Sequence, residues 1–300
     1  MKWANVPFRL ESGLVKLWFD LTKQRPSSAP FISGDTLRLL AHHRYEKANR
    51  QAFVPEAVQP GQVIFCEGDI INDFFAGPGQ KITCQFVFLS HNDDTNIDQA
   101  YLKYLDKHVI RWYAQNVVVR HDRLIPVPIG LENKVRYWHG IPKDFQKLRN
   151  GLAETNKKLK ILYGFAIVNN PEARSIALKS LQKHPFAEAL IPTNSRKYRR
   201  LLSKYAFVAS PPGHGEDCLR TWEAMYLRVV PIVKRSVGTE FFRSLGLPLL
   251  LIDSWEELAT FDETKLANCY ADLAPGFDTP ALWFDYWKND FERFKTVVGS

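Results

Sequence analysis

The chain has four cysteines in 300 residues. Cys66, Cys84, Cys218 and Cys269 form no CxxC pair and have no histidine at zinc-ligand spacing. That excludes a zinc ribbon and a thioredoxin-type redox pair, and it fits free thiols in a reducing compartment. No run approaches the ~18 apolar residues of a membrane span. The opening stretch, MKWANVPFRLESGLVKLWFDLTKQR, lacks the continuous apolar core of a signal peptide. The expectation is a soluble, cytoplasmic protein. Internal repeats and low-complexity tracts are absent, which argues against solenoids and disordered linkers. Neither a Walker A sequence nor G-x-G-x-x-G occurs, so the common mononucleotide and dinucleotide fingerprints are missing.

What is present is a folding chain. Apolar residues make up 45%, charged residues 24% and aromatics 13%, with eight Trp. These values suit one large domain or two of ordinary size with a substantial core. The formal charge of +8 and pI of about 9.2 favour acidic partners: nucleic acid, an anionic membrane surface or a phosphorylated substrate. The basic residues are spread out. Small clusters at Lys157, Lys158 and Lys160, and at Arg196, Lys197, Arg199 and Arg200, read first as solvated faces.

Apolar runs alternate with amphipathic stretches. FISGDTLRLLAHHRYE reads as a strand end, a turn and a helix, capped by Ser33 or Asp35. On that reading His42 and His43 are exposed helix surface. QVIFCEGDII, QFVFLSHNDDTN (strand Gln85 to Leu89), IRWYAQNVVVR and LIPVPIGLEN follow. IPKDFQKLRNGLAETNKK reads as a helix and linker. A second series then starts with a strand from Leu159 to Phe165, a helix after Pro171 and the basic helix in SRKYRRLLSKYAFVAS. VVPIV, LPLLLID and an aromatic tail helix, PALWFDYWKNDFERFK, complete it. This order predicts an α/β fold with two mainly parallel sheets. The expected divisions are residues 1–150, residues 151–275 and a C-terminal segment of residues 276–300. Ligands of open α/β sheets sit at strand carboxyl ends. The polar stretches SGD, EGD, SHNDD, SPPGHGED and LLLID all fall there.

SPPGHGEDCLRTWEAMYLRVVPIV is the most informative stretch. A helix N-terminus offers unpaired N–H groups and a partial positive charge. Gly213 and Gly215 would let the backbone approach a ligand, and the combination suits a phosphate. Arg220 could grip a phosphate in a bidentate way. Glu223 lies on the same helix face and could accept two ribose hydroxyls. The bland alternative is a surface ion pair of Arg220 with Glu216 or Glu223.

YAFVASPPGHGEDCLRTWEAMYLRVVPIV resembles the nucleotide-sugar motif of the exostosin-like glycosyltransferases. FISGDTLR, LSHNDD, RWYAQN and LIPVPIGLEN are similar to upstream segments of that family. The resemblance implies a GT-B architecture: two Rossmann-like domains facing a cleft, with a last helix crossing back to the first domain. It implies transfer of a sugar from a nucleotide-diphosphate donor to a saccharide or glycolipid acceptor, as in polysaccharide biosynthesis. The second domain would hold the donor. Glu223 would bind its ribose. Arg220 and the loop of Pro212, Gly213, His214, Gly215 and Asp217 would face the diphosphate, with Lys234 or Arg235 possible additions. Gly164 and Phe165 would lie on the cleft, and Asn194 to Arg199, including Arg196, near the nucleobase. Two departures stand out. Arg228 replaces a Gly, with an effect expected on helix packing near the donor, and HNDD replaces HNSD through Asp93.

An inverting transfer needs a base at a strand end of the first domain. Asp93 or His91 is the favoured choice, with Asp35 near the acceptor. His91 as a turn-bound structural residue and Asp35 as an N-cap are the alternatives. HNDDTNID could hold Mg²⁺ or Mn²⁺, yet a diphosphate already facing Arg220 and a helix terminus requires no metal and no other cofactor. Trp112, Trp222 and Trp255 read as core or cleft wall, and Trp138 as a residue able to stack on a sugar. Peripheral contact with an anionic membrane is compatible with the charge. Two other classes remain: a nucleic-acid-binding protein using SRKYRRLLSK, though no nucleic-acid motif is present, and an inactive scaffold with this fold.

Overall fold

The structure is a computed structural model. It describes residues 25–136, 141–152, 157–191 and 193–298, with residues 14, 17, 19, 21 and 22 before them, and only the backbone of 294–298. Trp138 lies outside the described residues. Two five-stranded sheets, each wholly parallel, form the frame.

The first sheet runs β1 (His43–Tyr45), β2 (Val63–Glu67), β3 (Phe86–His91), β4 (Val109–Ala114) and β5 (Leu124–Pro126), neighbours in space as in sequence. Successive strand side chains point to opposite faces. Ile64, Cys66, Phe86, Phe88 and Trp112 accordingly meet the connecting segments, including helix α2 (Ile71–Ala76) through Ile71 and Phe74. Val63, Phe65, Val87, Leu89 and Tyr113 face the other way. Cover for that second face comes from far along the chain. The last helix, here α9 (Phe284–Val298), returns across it: Phe291 stacks on Tyr113 at 3.8 Å, and the Tyr113 hydroxyl donates to Asp290 at 2.6 Å. The Phe284 N–H also donates to the Pro30 carbonyl at 3.0 Å. The last helix thus completes a cover to which Phe31, Leu37 and Phe145 also contribute.

The second sheet has the order β10 (Leu250–Ile252), β9 (Val230–Lys234), β8 (Tyr205–Ala209), β6 (Lys158–Tyr163) and β7 (Ala187–Ala189). The order reverses at β6, so a crevice opens beyond the ends of β6 and β8. One core contains Phe31, Leu89 and Tyr113 from the first half with Leu162, Val208, Trp222 and Tyr226 from the second. Trp112, Trp222 and Trp255 are all buried in the core. These two parallel α/β halves are the fold class expected from the sequence.

The segment after Ser33 departs from the reading. Ser33, not Asp35, caps α1 (Gly34–Leu37), which gives way to a single 3-10 turn. His42 and His43 then enter the edge of the first sheet: the His42 N–H donates to the Val63 carbonyl at 2.9 Å, and the His42 ring accepts the Val63 N–H at 3.0 Å. The open edge of β2 outbids local helix propensity, which is a weak preference. A helix α3 (Pro142–Asn150) links the halves.

In the second half come α4 (Pro171–Lys183), α5 (Ser195–Leu202), α6 (Leu219–Tyr226), α7 (Val237–Ser244) and α8 (Glu263–Leu273). Helix α6 ends with Arg228 at φ 56°. The Val229 N–H bonds to the Ala224 carbonyl and the Arg228 N–H to that of Met225, a Schellman arrangement whose left-handed residue is usually Gly. The Arg228 guanidinium holds both carboxylate oxygens of Asp278 at 3.0 Å. The Gly-to-Arg departure is thus accommodated at the helix C-terminus, away from the cleft.

Candidate functional site

A cleft of about 910 Å³ lies between the two sheets. Its first wall carries Arg25, Glu67, His91, Asn92, Asp93, Asp94, Glu132 and Asn133; the second carries Arg174, Tyr198, Gly213, His214, Gly215, Asp217, Cys218, Arg220 and Glu223. Of the residues singled out from sequence, His91, Asp93, Gly213, His214, Gly215, Asp217, Arg220 and Glu223 share this space. Asp35, Gly164, Phe165, Arg196 and Pro212 do not line it.

The opening turn of α6 is the centre of the second wall. Cys218 occupies the N-cap position without a side-chain cap bond, so N–H groups of the first turn remain available. Two arginines flank it. Arg220 donates through Nη2 to the Gly164 carbonyl at 2.7 Å, while its Nε is buried without a hydrogen bond among the described residues. Arg174, on α4, donates to the carbonyls of Pro212 at 2.8 Å and Ala166 at 2.7 Å. Both guanidinium carbons lie 5.9 Å from the Phe165 ring centroid. Gly164 and Phe165 therefore buttress the cationic pair from behind. Pro212 faces a smaller cavity beside Ser210, Thr221 and Lys234. Lys234 lies there, and Arg235 pairs with Asp253 at 2.6 Å, so neither reaches the cleft.

Glu223 is one turn further along α6 and buried. Burial pushes its carboxyl up to about 7, against the pull of Arg199 and Arg220, with Glu132 across the cleft pushing the same way as burial. Asp217 is also pushed up to about 7 by burial. Its carboxylate is spent internally, accepting the N–H groups of Ile129 and Cys218, each at 2.8 Å, and the Trp222 indole N–H. Since Ile129 belongs to the first half, Asp217 fastens the two halves together. A second fastening gives Gly215 a structural task besides its place on the cleft. A Cβ there would stand 2.5 Å from Asn116 Nδ2. Glycine is needed to admit Asn116, whose Oδ1 accepts the Asp217 N–H at 3.0 Å and whose Nδ2 donates to the Asp93 carbonyl at 3.3 Å.

On the first wall, His91 has both nitrogens engaged. Nε2 donates to the Pro128 carbonyl at 2.9 Å, and Nδ1 accepts the Asn92 N–H at 2.7 Å. Burial lowers its pKa, so the ring is neutral and has no lone pair free for a substrate proton. Its visible work is to hold Asn92 at φ 64°. Asp35 is wholly buried and paired with Arg25 at 3.2 Å, which removes it from contact with an acceptor. Asp93 remains: Oδ1 accepts the Thr95 N–H at 2.8 Å and the Thr95 hydroxyl. No hydrogen bond holds Oδ2 among the described residues. Asp94 meets His214 at 3.7 Å across the mouth of the cleft. No group of three or more His, Cys, Asp or Glu able to hold a metal occurs among the described residues.

Helix α5 is not a free basic surface. Arg196 and the buried Arg199 turn to Asp144 of α3, at 3.3 and 2.7 Å, leaving Lys197 and Arg200 exposed. That explains why Arg196 is absent from the cleft and weakens the case for a phosphate-tracking helix. Thr193, Ser195 and Tyr198 from the same segment do line the cleft.

Sequence reasoning missed Arg174, Asn116 and Glu132. Arg174 could have been found by the rule that found Arg220, an arginine early in a helix that follows a strand. Asn116 and Glu132 follow strand-end segments closely, but nothing local marks them as facing the opposite half.

No family model matches the sequence, and no curated protein matches it. Among solved structures, the chain is similar to an α,α-trehalose-phosphate synthase (UDP-forming) from Burkholderia vietnamiensis, with 10% identity, 90% of this chain and 81% of that one covered, and a TM-score of 0.48. It is similar to the catalytic domain of starch synthase IV from Arabidopsis thaliana bound to ADP and acarbose, with 11% identity, 80% and 73% covered, and a TM-score of 0.38. A third is Anabaena Alr3699/HepE in complex with UDP-glucose, with 12% identity, 79% and 77% covered, and a TM-score of 0.35. Identities and scores this low say nothing of the site.

Proposed function

We propose that the chain is a glycosyltransferase that moves a sugar from a nucleotide-diphosphate donor to a saccharide or glycolipid hydroxyl, with inversion and without a metal. The observation that carries this reading is the uncapped start of α6, flanked by Arg174 and Arg220 and followed by the buried Glu223, in a cleft at the carboxyl ends of two parallel sheets. The diphosphate would sit against the α6 N–H groups, where fixed dipoles and guanidinium charge stabilise the leaving group as it gains negative charge. Glu223 would accept hydroxyls of the donor ribose.

Asp93 would be the base. Its Oδ2 takes the proton of the acceptor hydroxyl, the acceptor oxygen forms its bond to the anomeric carbon, and the bond to the diphosphate oxygen breaks with its electron pair on the departing nucleotide. Asp93 occupies the place of a Ser in the exostosin-like pattern, so this assignment is specific to this chain. Membership of that family, a part in polysaccharide biosynthesis and a cytoplasmic position at an anionic membrane face are the finer parts of the proposal. The charge of +8 supports the last of them. No described helix is long and apolar enough to cross a membrane.

Calorimetric titration with UDP, GDP, CMP and ADP tests the reading, beside a Glu223→Ala, Arg220→Ala double variant. Binding of one nucleotide that is lost in the double variant supports it. A folded wild-type protein that binds none of them overturns it.

A further inference from the structure

The least explained polar group on the second wall is the hydroxyl of Tyr198. It is buried with no hydrogen bond of acceptable geometry among the described residues, on a side chain that lines the cleft. Leaving a buried hydroxyl unbonded is costly, and native structures rarely do so without a reason such as a ligand. The same is true of Arg220 Nε, also buried and unbonded. The phenol meets the Arg220 side chain, and the charges that act on it are those of Arg220, Glu223 and Arg199, with Glu223 opposing the two arginines. The cleft surface at this point therefore offers one guanidinium N–H, one carboxyl group and one hydroxyl that can either donate or accept.

This combination has a chemical preference. A phosphate would accept from Arg220 and Tyr198 but would face the Glu223 carboxylate. Among the bases only a guanine edge donates twice to one carboxylate while accepting at O6, and a site built for it would bind GDP alone and leave the ribose unread. A vicinal diol does both: each hydroxyl donates one proton and accepts others. We infer that Tyr198 is a specificity-determining residue that, together with Glu223, reads the ribose diol of the donor and so discriminates ribonucleotides from deoxyribonucleotides. The inference rests on the donor-site reading above and goes beyond it in naming the residue and what it selects. Helix α5 supplies the fixed position. Its Asn194 cap bonds the Lys197 N–H at 2.9 Å, and Arg199, the next residue after Tyr198, is held to Asp144 at 2.7 Å.

The test is a cycle of two proteins and two sugars. UDP, GDP and ADP, each beside its 2′-deoxy and 3′-deoxy form, are titrated by calorimetry into wild type and Tyr198→Phe, and both proteins are melted without ligand. The expected result is a ~5–10-fold preference of wild type for the ribonucleotide over one deoxy form, the effect of one hydrogen bond. Tyr198→Phe loses affinity for the ribonucleotide, binds the deoxy form as wild type does, and melts at nearly the same temperature, since the hydroxyl gives up only its contact with Arg220 in the free protein. A preference that is unchanged in Tyr198→Phe overturns the inference while leaving the donor site standing. So does a variant that melts lower and loses affinity equally for ribose and deoxyribose, the signature of a structural role. Absence of binding to every diphosphate in folded wild type overturns the donor site and the inference with it.

Discussion

Replacing Glu223 by Gln tests the electrostatics of the cleft directly. The carboxyl goes from 4.5 to about 7 on folding, chiefly through burial. Each pKa unit corresponds to about 1.4 kcal/mol, so keeping this group ionised in the folded protein costs about 3 kcal/mol. The sign follows from proton counting. Between pH 4.5 and 7 the folded chain binds more protons at this position than the unfolded chain, so stability falls as pH rises through that window. Below it the group contributes its full stabilisation; above it that contribution is gone. Asp217, also raised to about 7, acts in the same direction and is unchanged by the substitution. Relative to wild type, Glu223→Gln should therefore gain about 3 kcal/mol between pH 4 and pH 8, on top of a pH-independent cost of about 1–2 kcal/mol if the buried amide is left short of partners. Urea unfolding at pH 4, 6 and 8 measures this. Nucleotide affinity should move oppositely. If the ionised form accepts ribose hydroxyls, wild-type affinity rises up to tenfold per pH unit towards 7 and levels off above it, whereas the variant binds ~10-fold or more weakly with a flat profile. Parallel stability curves for the two proteins from pH 4 to 8 would refute the reasoning, as would an affinity that falls as pH rises.

Three further outcomes are expected. Arg228→Gly relieves a left-handed non-glycine residue, worth about 1–2 kcal/mol, and loses an exposed ion pair, worth about 0.2–1 kcal/mol, and a contact with the Phe277 ring at 5.7 Å, worth about 0.5–1 kcal/mol; chemical denaturation should show nearly unchanged stability, and calorimetry unchanged nucleotide affinity. Gly215→Ala drives a Cβ into Asn116 and should cost about 1–3 kcal/mol, as overpacking does; in Gly215→Ala, Asn116→Ala the clash is gone, so the double variant should be more stable than the sum of the two single losses predicts. Sugar transfer, followed by release of the nucleoside diphosphate, should be unchanged by excess EDTA, and a loss restored by Mg²⁺ or Mn²⁺ would refute a metal-independent mechanism.

The sequence announces the parts of this molecule that obey local rules. Apolar runs followed by polar loops mark the strands and the ends where a ligand would sit, and the Gly-Pro loop before α6 marks the start of the second wall. What it hides depends on distance. Nothing near Asp35 shows that Arg25 will neutralise it, and nothing near Arg196 shows that Asp144 will claim it. His91 looks like a base from composition and is tied at Nδ1 by its neighbour's N–H and at Nε2 by the Pro128 carbonyl, which only the fold brings near. The His42–Tyr45 segment reads as helix until β2 offers it a sheet edge. Gly215 is the most instructive of these residues: its need for glycine is legible, but the partner that imposes the need is a side chain of the other half.

That partner changes how the cleft can work. Asn116 bonds the backbone of Asp93 on one wall and of Asp217 on the other, and the Asp217 carboxylate bonds back to Ile129. The residue proposed as base and the loop proposed to seat the diphosphate are thus held in register by neutral and charge-assisted hydrogen bonds at the floor of the cleft, before any ligand arrives. At the mouth Asp94 and His214 meet in an exposed contact of 3.7 Å, which solvent screening makes weak. A floor fastened by several partly buried bonds and a mouth joined by a weak contact would let the mouth open while the floor stays fixed. On the proposed reading, base and diphosphate seat are set at their distance in the free protein, and the rate gained by holding reactants in place would need no closure step.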